Sequence, residues 1–220
     1  MLNVSENYYD KGQSKNIFRL KELAPEQLKA FQQFDVAVLK AGALSKKEKE
    51  IIAVAIAHVT ECPYCIDTHT KKAKVAGATL SELVEAVFVT MAIEAGGVVT
   101  HSTHIHNALN DNSIDELYTR SNLKSLKELN KFAPDGFKGY LNFSQTAMKE
   151  GNLSAKFKEI IAVAVATATQ CPYCIDVHSK NAMKHGATNE ELAEAVLVSS
   201  ALCAGGAYAH MINMIESYNE

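Results

Sequence analysis

The sequence predicts an all-α protein made of two tandem homologous helical domains that pack together as a pseudo-dimer. One long segment recurs at a fixed offset of 109 residues, with helical spacing of its apolar residues. Neither copy shows the apolar and polar alternation of a strand or an Asn-Gly hairpin signal. A unit of about 90 residues buries its apolar helices poorly alone, so we expect the two copies to share a core.

The repeat is clearest from Gly42 to His101, which matches Gly151 to His210 without a gap. About 36 of these 60 positions are identical, and the match extends back to Pro25 and Pro134. We divide the chain into a leader over residues 1–19, a first domain over 20–110, a linker over 111–128 and a second domain over 129–220.

The first two helices of each copy are predicted from their starting residues. Pro25 suits the first turn of a helix, because a helix start leaves its backbone N–H groups without partners. Ser45 suits the N-cap of an apolar helix over about 46–60, and Glu48 completes a capping box that only the first copy has. Ile, Val and Ala on nearly every side predict that this helix is buried.

The later helices are marked by glycine and by a second capping box. A helix that begins at the first cysteine motif ends before Gly77, which suits the left-handed residue that follows a helix. Thr79 and Glu82 form the next capping box, which the second copy repeats. We expect this helix to end near Glu94, with Gly96-Gly97 as a step to a last helix.

Composition and charge narrow the function classes. The chain is 47% hydrophobic and 21% charged, which is typical of a folded globular protein. A net charge of −3 gives no support for a nucleic-acid partner. We find no signal-peptide pattern and no uninterrupted apolar run of about 18 residues, so we expect a cytoplasmic protein with no membrane partner. In a reducing cytoplasm, CxxC pairs favour redox or metal chemistry over structural disulfides.

The motif Cys62-Pro63-Tyr64-Cys65 carries the strongest chemical signal. Cys62 is predicted near a helix N-cap, where unpaired N–H groups and the helix dipole stabilise a thiolate. His69 follows Cys65 by four residues, so the three side chains share one helical face. The second copy repeats the arrangement with Cys171, Cys174 and His178.

A glutamate precedes each motif by 12 residues, on the apolar helix: Glu50 in the first copy and Glu159 in the second. Apolar neighbours predict desolvation and a raised pKa, which would make the carboxylate a proton acceptor near neutral pH. Thiol, imidazole and carboxylate could then form a proton relay. His101 and His210 are also shared by both copies, and we predict a structural role for them at a helix end.

These residues resemble the AhpD-like alkylhydroperoxidase proteins of the carboxymuconolactone decarboxylase superfamily. Their motif is a Glu, eleven residues, CxxC, three residues and a His. It is matched in full from Glu50 to His69 and from Glu159 to His178. The resemblance covers nearly the whole chain as two tandem domains, and it implies antioxidant peroxidase or disulfide oxidoreductase activity.

The resemblance also implies roles for the site residues. Cys65 and Cys174 would attack the hydroperoxide or disulfide substrate, and Cys62 and Cys171 would resolve the intermediate; the helix-cap argument alone favours Cys62 as the thiolate. The implied redox-active disulfides are Cys62–Cys65 and Cys171–Cys174, the implied proton relays are Glu50 with His69 and Glu159 with His178, and no further cofactor is implied.

The resemblance also implies partners, although the motif of this chain differs from that of the family at one position. The family's reductant is a dithiol such as a lipoylated protein, and its single-domain members form hexamers, so we expect a homotrimer here. Well-studied peroxidase members carry a His before the second Cys, where this chain has Tyr64 and Tyr173. A phenol is too weakly acidic to replace an imidazole as a base at neutral pH.

Two other readings remain open from the sequence. The ligand types of Cys62, Cys65 and His69 suit zinc, so a non-enzymatic zinc-stabilised module is one alternative. A lactone decarboxylase, as the superfamily name suggests, is the other. His104 and His106, which with His101 could form a metal site in the first copy, have no counterparts in the second.

Overall fold

The computed structural model describes Tyr9, residues 11–109 and residues 118–219. These residues form helices and connecting turns without a strand, which confirms the predicted all-α class. The predicted leader and linker fall partly outside the described residues. The α-helices are α1 Leu20–Leu23, α2 Pro25–Leu39, α3 Lys46–Val59, α4 Pro63–Val75, α5 Leu80–His101, α6 Thr103–Ala108, α7 Leu126–Phe132, α8 Pro134–Met148, α9 Ala155–Ala168, α10 Pro172–Lys184 and α11 Asn189–Asn219, with 3₁₀ helices at Lys11–Arg19 and Arg120–Ser125.

The two copies share one hydrophobic core, which confirms the pseudo-dimer. Helices α3 and α9, which precede the two cysteine motifs, are buried along nearly their whole length and contact each other. Helix α5 of the first copy packs against α9 of the second, and α11 of the second copy packs against α3 of the first. Each long helix therefore covers the central helix of both copies, and most of the buried residues of the two copies form one cluster.

The predicted helix boundaries are confirmed where capping chemistry sets them. Ser45 and Glu48 form a reciprocal capping box at the start of α3, as Thr79 and Glu82 do at the start of α5. Gly77 has a φ of 91° after α4, and its equivalent Gly186 has a φ of 85° after α10. These left-handed residues end both motif helices as expected.

The expected break at Gly96-Gly97 is wrong, because α5 continues through both glycines to His101, and α11 likewise runs unbroken through its own pair. A side chain at Gly96 would place its Cβ 3.0 Å from the hydroxyl of Tyr140 on α8. The missing side chain thus permits close helix contact, and burial outweighs the roughly 1 kcal/mol that a glycine costs inside a helix.

A reciprocal ion-pair latch joins the two copies. Glu194 on α11 accepts hydrogen bonds from the backbone N–H groups of Ala43 and Leu44, at 3.0 and 2.8 Å, just before α3. It also pairs with the buried ammonium of Lys49 at 3.1 Å. The first copy returns the contact, since Glu85 on α5 accepts from the backbone N–H groups of Asn152 and Leu153 and pairs with the buried Lys158 at 3.0 Å.

Two helical segments are long and apolar enough to cross a membrane by length and composition: 80–105, with mean hydropathy 1.7, and Asn189–Asn219, with mean hydropathy 1.5. Both contribute buried residues to the shared core, and core helices of globular proteins commonly have this composition. The expectation of no membrane partner stays a prediction.

Candidate active site

The structure brings each predicted glutamate to the histidine of its own motif. Glu50 Oε2 lies 2.8 Å from His69 Nδ1, and Glu159 Oε2 lies 2.7 Å from His178 Nδ1. The pairs connect the buried central helix of each copy to its motif helix. A carboxylate on Nδ1 orients the imidazole and leaves Nε2 to exchange protons with its surroundings.

The predicted rise in the glutamate pKa is wrong for Glu50. Complete burial acts to raise its pKa, but hydrogen bonds from His69 and from the Lys46 ammonium, 2.7 Å from Oε1, outweigh burial and lower it. Glu50 therefore stays ionised at neutral pH. The second site lacks this ammonium because Ala155 replaces Lys46, and there Asn181 donates to Glu159 at 3.3 Å.

The two cysteines of each motif are in contact and buried. Cys62 and Cys65 are joined as a disulfide, and the sulfurs of Cys171 and Cys174 lie 2.6 Å apart as thiols. The first cysteine of each motif is the helix N-cap, whose sulfur accepts a hydrogen bond from the backbone N–H three residues later. The dithiol is therefore poised for reversible disulfide formation in both copies.

The residue before each motif fixes the entry into the motif helix. Glu61 and Gln170 both have left-handed backbone conformations, with φ values of 50° and 56°. This conformation costs about 1 kcal/mol for a residue with a side chain. It turns the chain sharply between the buried helix and the motif helix, and so places the first cysteine at the N-cap in both copies.

At the second site the surroundings favour the thiolate on the first cysteine. The hydrogen bond between the two sulfurs, opposed by burial and aided by the Cys174 backbone N–H, lowers the pKa of Cys171 from 9.0 to about 5. The same contact and burial raise the pKa of Cys174. This geometry agrees with the helix-cap argument, whereas the family resemblance makes Cys174 the attacking residue.

Each site also includes residues of the other copy, which the sequence did not indicate. The cavity at the first site is lined by Cys65 and His69 together with Tyr208 and Ala209 on α11. The cavity at the second site is lined by Cys171 and by residues near the end of α5, including His101. Both dithiols therefore lie at the boundary between the two copies.

The motif tyrosines pack beneath aromatic residues from the predicted leader and linker. The rings of Tyr9 and Tyr64 lie 4.9 Å apart, and those of Tyr118 and Tyr173 lie 6.0 Å apart. Asn122 donates to the Tyr173 hydroxyl at 2.8 Å. Tyr9 and Tyr118 are 109 residues apart, so the offset of the repeat continues into both segments and would have identified this pair.

The described residues contain no group of three or more His, Cys, Asp and Glu side chains arranged to hold a metal ion. His69, the third candidate zinc ligand of the first motif, already has Nδ1 engaged by Glu50. His101 and His104 lie with ring centroids 5.7 Å apart beside Tyr173, while the side chain of His106 lies outside the described residues.

Comparison with known proteins finds one family in both copies. The profile of the carboxymuconolactone decarboxylase family matches residues 25–107 and again residues 134–217. Curated relatives include an uncharacterized protein of the cox locus of Paracoccus denitrificans, 48% identical over 71 residues, and an uncharacterized protein of Cupriavidus necator, 34% identical over 71 residues. Each match spans 32% of this chain and less than two thirds of the relative, 64% and 63% respectively.

A further relative and a solved structure extend the comparison. An uncharacterized protein of Haemophilus influenzae is 38% identical over 96 residues, which span 44% of this chain and 85% of that protein. A crystal structure from Burkholderia xenovorans, provisionally assigned as a gamma-carboxymuconolactone decarboxylase subunit, aligns with a TM-score of 0.65 at 22% identity. The alignment covers 96% of this chain and 98% of that one, and at this identity it shows the shared fold alone.

Proposed function

The chain belongs to the carboxymuconolactone decarboxylase family, and on this premise we propose that it is a thiol-dependent oxidoreductase of the alkylhydroperoxidase or disulfide reductase type. One observation carries the proposal: each copy places a contacting dithiol at a helix N-terminus beside a Glu–His pair. A helix N-terminus stabilises a thiolate, and a carboxylate-oriented imidazole moves protons. The catalytic residues are Glu50, Cys62, Cys65, His69, Glu159, Cys171, Cys174 and His178.

The proposed cycle balances with a hydroperoxide as oxidant. A thiolate sulfur attacks the peroxide, so that a sulfur–oxygen bond forms, the oxygen–oxygen bond breaks, and the departing alkoxide takes a proton to become an alcohol. The partner cysteine then displaces water from the sulfenic acid and forms the disulfide. A dithiol reductant, for which a lipoyl group on a protein is the proposed form, restores both thiols by exchange.

Two features of Cys171 support an order of attack at the second site: it is the N-cap of its helix, and its pKa is lowered. We therefore propose Cys171 as the attacking residue and Cys174 as the resolving one, the reverse of the order that the family resemblance implies. After one equivalent of hydroperoxide, Cys174→Ser should accumulate a sulfenic acid on Cys171 that a dimedone probe traps. A sulfenic acid that forms instead on Cys174 of Cys171→Ser, and not on Cys171, would restore the family order.

Thiol counting tests the activity itself. The fully reduced protein should lose two thiols per site after a stoichiometric hydroperoxide, and Cys65→Ser with Cys174→Ser should abolish turnover with a dithiol reductant. Cys203 is the matched control, because it lies outside both motifs and Cys203→Ser should leave turnover unchanged. An unchanged thiol count in the wild-type protein, or full turnover in the double variant, would contradict the proposal.

A lactone decarboxylase is the second candidate, favoured by the provisional assignment of the Burkholderia xenovorans structure and by the family description. Such chemistry requires no dithiol, so decarboxylation that persists after all four motif cysteines become serine would support it. A zinc-stabilised module would instead show stoichiometric zinc in the purified protein and unfold on chelation.

Assembly and location complete the proposal. We propose a homotrimer in the cytoplasm, where a dithiol reductant is present and the motif cysteines are kept reducible. Exposed apolar side chains on one face of α5 supply surface for such contacts; they are Leu80, Val84, Phe88 and Met91. Sedimentation equilibrium at three times the chain mass would support the trimer, and a monomer would exclude it.

A further inference from the structure

The ends of α5 and α11 reach the dithiol of the opposite copy, and the residues they bring are different. Thr100 and His101 end α5 at the second dithiol. The equivalent residues on α11, 109 positions later, are Ala209, which lines the cavity at the first dithiol, and His210, which lies beside Tyr64 of the first motif. A histidine is thus present near the end of both α5 and α11, whereas the threonine hydroxyl is present on α5 alone of the two helices.

The Thr100 hydroxyl contacts the N-cap sulfur directly. Its Oγ1 lies 3.7 Å from Cys171 Sγ, within hydrogen-bonding range for sulfur, and it also lies 3.1 Å from the carbonyl oxygen of Gly97. The hydroxyl proton therefore has two available acceptors. Hydrogen bonds to an ionised acceptor are stronger than those to a neutral one, so ionisation of Cys171 favours donation to sulfur. Ala209 offers the first dithiol no such donor.

The imidazoles lie beside the motif tyrosines. The ring centroid of His101 is 6.0 Å from that of Tyr173, and that of His210 is 6.3 Å from that of Tyr64. His101 Nε2 is buried and has no hydrogen-bond partner among the described residues. This histidine and Cys171 line the same cavity. This nitrogen can therefore form a hydrogen bond with a group that binds in the cavity.

We propose that the two dithiols are chemically inequivalent, because Thr100 and His101 of the first copy activate Cys171 of the second, whereas the first dithiol meets Ala209 in place of the hydroxyl. Thr100 stabilises the thiolate by donating to it. His101 holds the proton that the departing alkoxide takes when the oxygen–oxygen bond breaks. The second dithiol then reacts with oxidant at a lower pH than the first. The roles in turnover rest on the proposed function, but the inequivalence of the thiols does not.

Other titratable groups face Cys171 and are common to every variant below. They are Cys174 on its own helix, His101 on α5 and Tyr140 on α8. The hydrogen bond with Cys174 lowers the pKa of Cys171 most, and the Thr100 hydroxyl and the nearby His101 imidazole lower it further. Exchanging only the hydroxyl therefore isolates its effect.

The test titrates thiolate absorbance near 240 nm in full-length chains that keep one reduced dithiol. One background carries Cys62→Ser, Cys65→Ser and Cys203→Ser, and the other carries the equivalent changes at the second motif with Cys203→Ser. We expect the second dithiol to ionise at the lower pH. Thr100→Ala should make its thiolate about tenfold less populated at pH 5–6, because a hydrogen bond to a charged group is lost. Thr100→Ser should restore it.

Ala209→Thr introduces the missing hydroxyl at the first dithiol and should shift ionisation of Cys62 to lower pH. His101→Gln should slow hydroperoxide reduction at the second dithiol, while His210→Gln leaves the second dithiol unchanged. Circular dichroism identifies variants that fail to fold. If Thr100→Ala fails to fold, Thr100→Ser remains informative. Equal ionisation of the two dithiols, or an unchanged curve in folded Thr100→Ala, overturns the proposal, whether or not the protein reduces peroxides.

Discussion

The latch between the two copies makes Glu194 a large contributor to stability, although it is distant from the cysteines in sequence. Its carboxylate compensates the ammonium of Lys49, whose side chain is only 4% exposed. In Glu194→Gln, the ammonium would keep its hydrogen bonds to the carbonyl oxygens of Val38 and Lys40, at 3.0 and 2.6 Å, but lose its counter-charge.

The expected cost follows from burial. Removing one partner of a fully buried ion pair costs about 3–5 kcal/mol. Glu194 is 25% exposed, so water screens part of the interaction and we expect about 2–3 kcal/mol. For a chain of this size, that corresponds to a fall in Tm of roughly 5–10 °C. Glu85→Gln, at the equivalent position, should cost about the same, because it leaves Lys158 in the same condition.

Urea denaturation followed by circular dichroism measures the free energy of unfolding, and thermal denaturation measures Tm. Glu190→Gln is the matched control, since it removes one negative charge from the exposed start of the same helix and should change stability by less than about 1 kcal/mol. A loss below about 0.5 kcal/mol in both latch variants would refute the reasoning, because the buried ammonium would then not depend on its partner.

Three further predictions follow. Glu159→Gln should lower turnover at the second dithiol about 100-fold, because it removes the carboxylate that orients His178. Turnover is measured in a chain whose first two motif cysteines are replaced by serine. Unchanged turnover would exclude the proton relay. Burial acts to raise the pKa of Glu85, but hydrogen bonds from backbone N–H groups and from Lys158 outweigh burial and lower the pKa from 4.5 to about 2. The contribution of Glu85 to stability is therefore complete above pH 4.5 and is lost as the pH falls towards 2. In an acid titration of Tm, Glu85→Gln should therefore lie furthest below the wild type at neutral pH and approach it near pH 2. Gln170→Gly should raise the free energy of unfolding by about 0.5 kcal/mol, since a φ of 56° costs glycine little; a lower Tm would contradict this.

Much of the fold and of each site follows from local patterns. Helix starts at Pro25 and Ser45 and the turn at Gly77 depend on a few neighbouring residues, and all three are observed. The break expected at Gly96-Gly97 is absent, because packing against Tyr140 outweighs the low helix propensity of glycine.

In the site, too, some features follow from local spacing and others depend on tertiary contacts. Spacing within the motif helix places Cys62, Cys65 and His69 on one face, and the recurrence of Glu50 at a fixed distance predicts its pairing with His69, which the structure has. The sign of the Glu50 pKa shift was not predictable from its apolar neighbours. It depends on Lys46 and His69 reaching the same carboxylate, which hydropathy cannot show.

The sequence by itself determined the helical class, the duplication and the residues of each Glu–Cys–Cys–His set, because these follow from periodicity, capping chemistry and fixed spacing. Only the tertiary structure decided which groups meet across the two copies. Thr100 reaches Cys171, and Glu194 reaches Lys49, because α5 and α11 each cross the boundary to pack on the central helix of the other copy. That crossing minimises exposed apolar surface in the whole chain, so no local segment of the sequence encodes it.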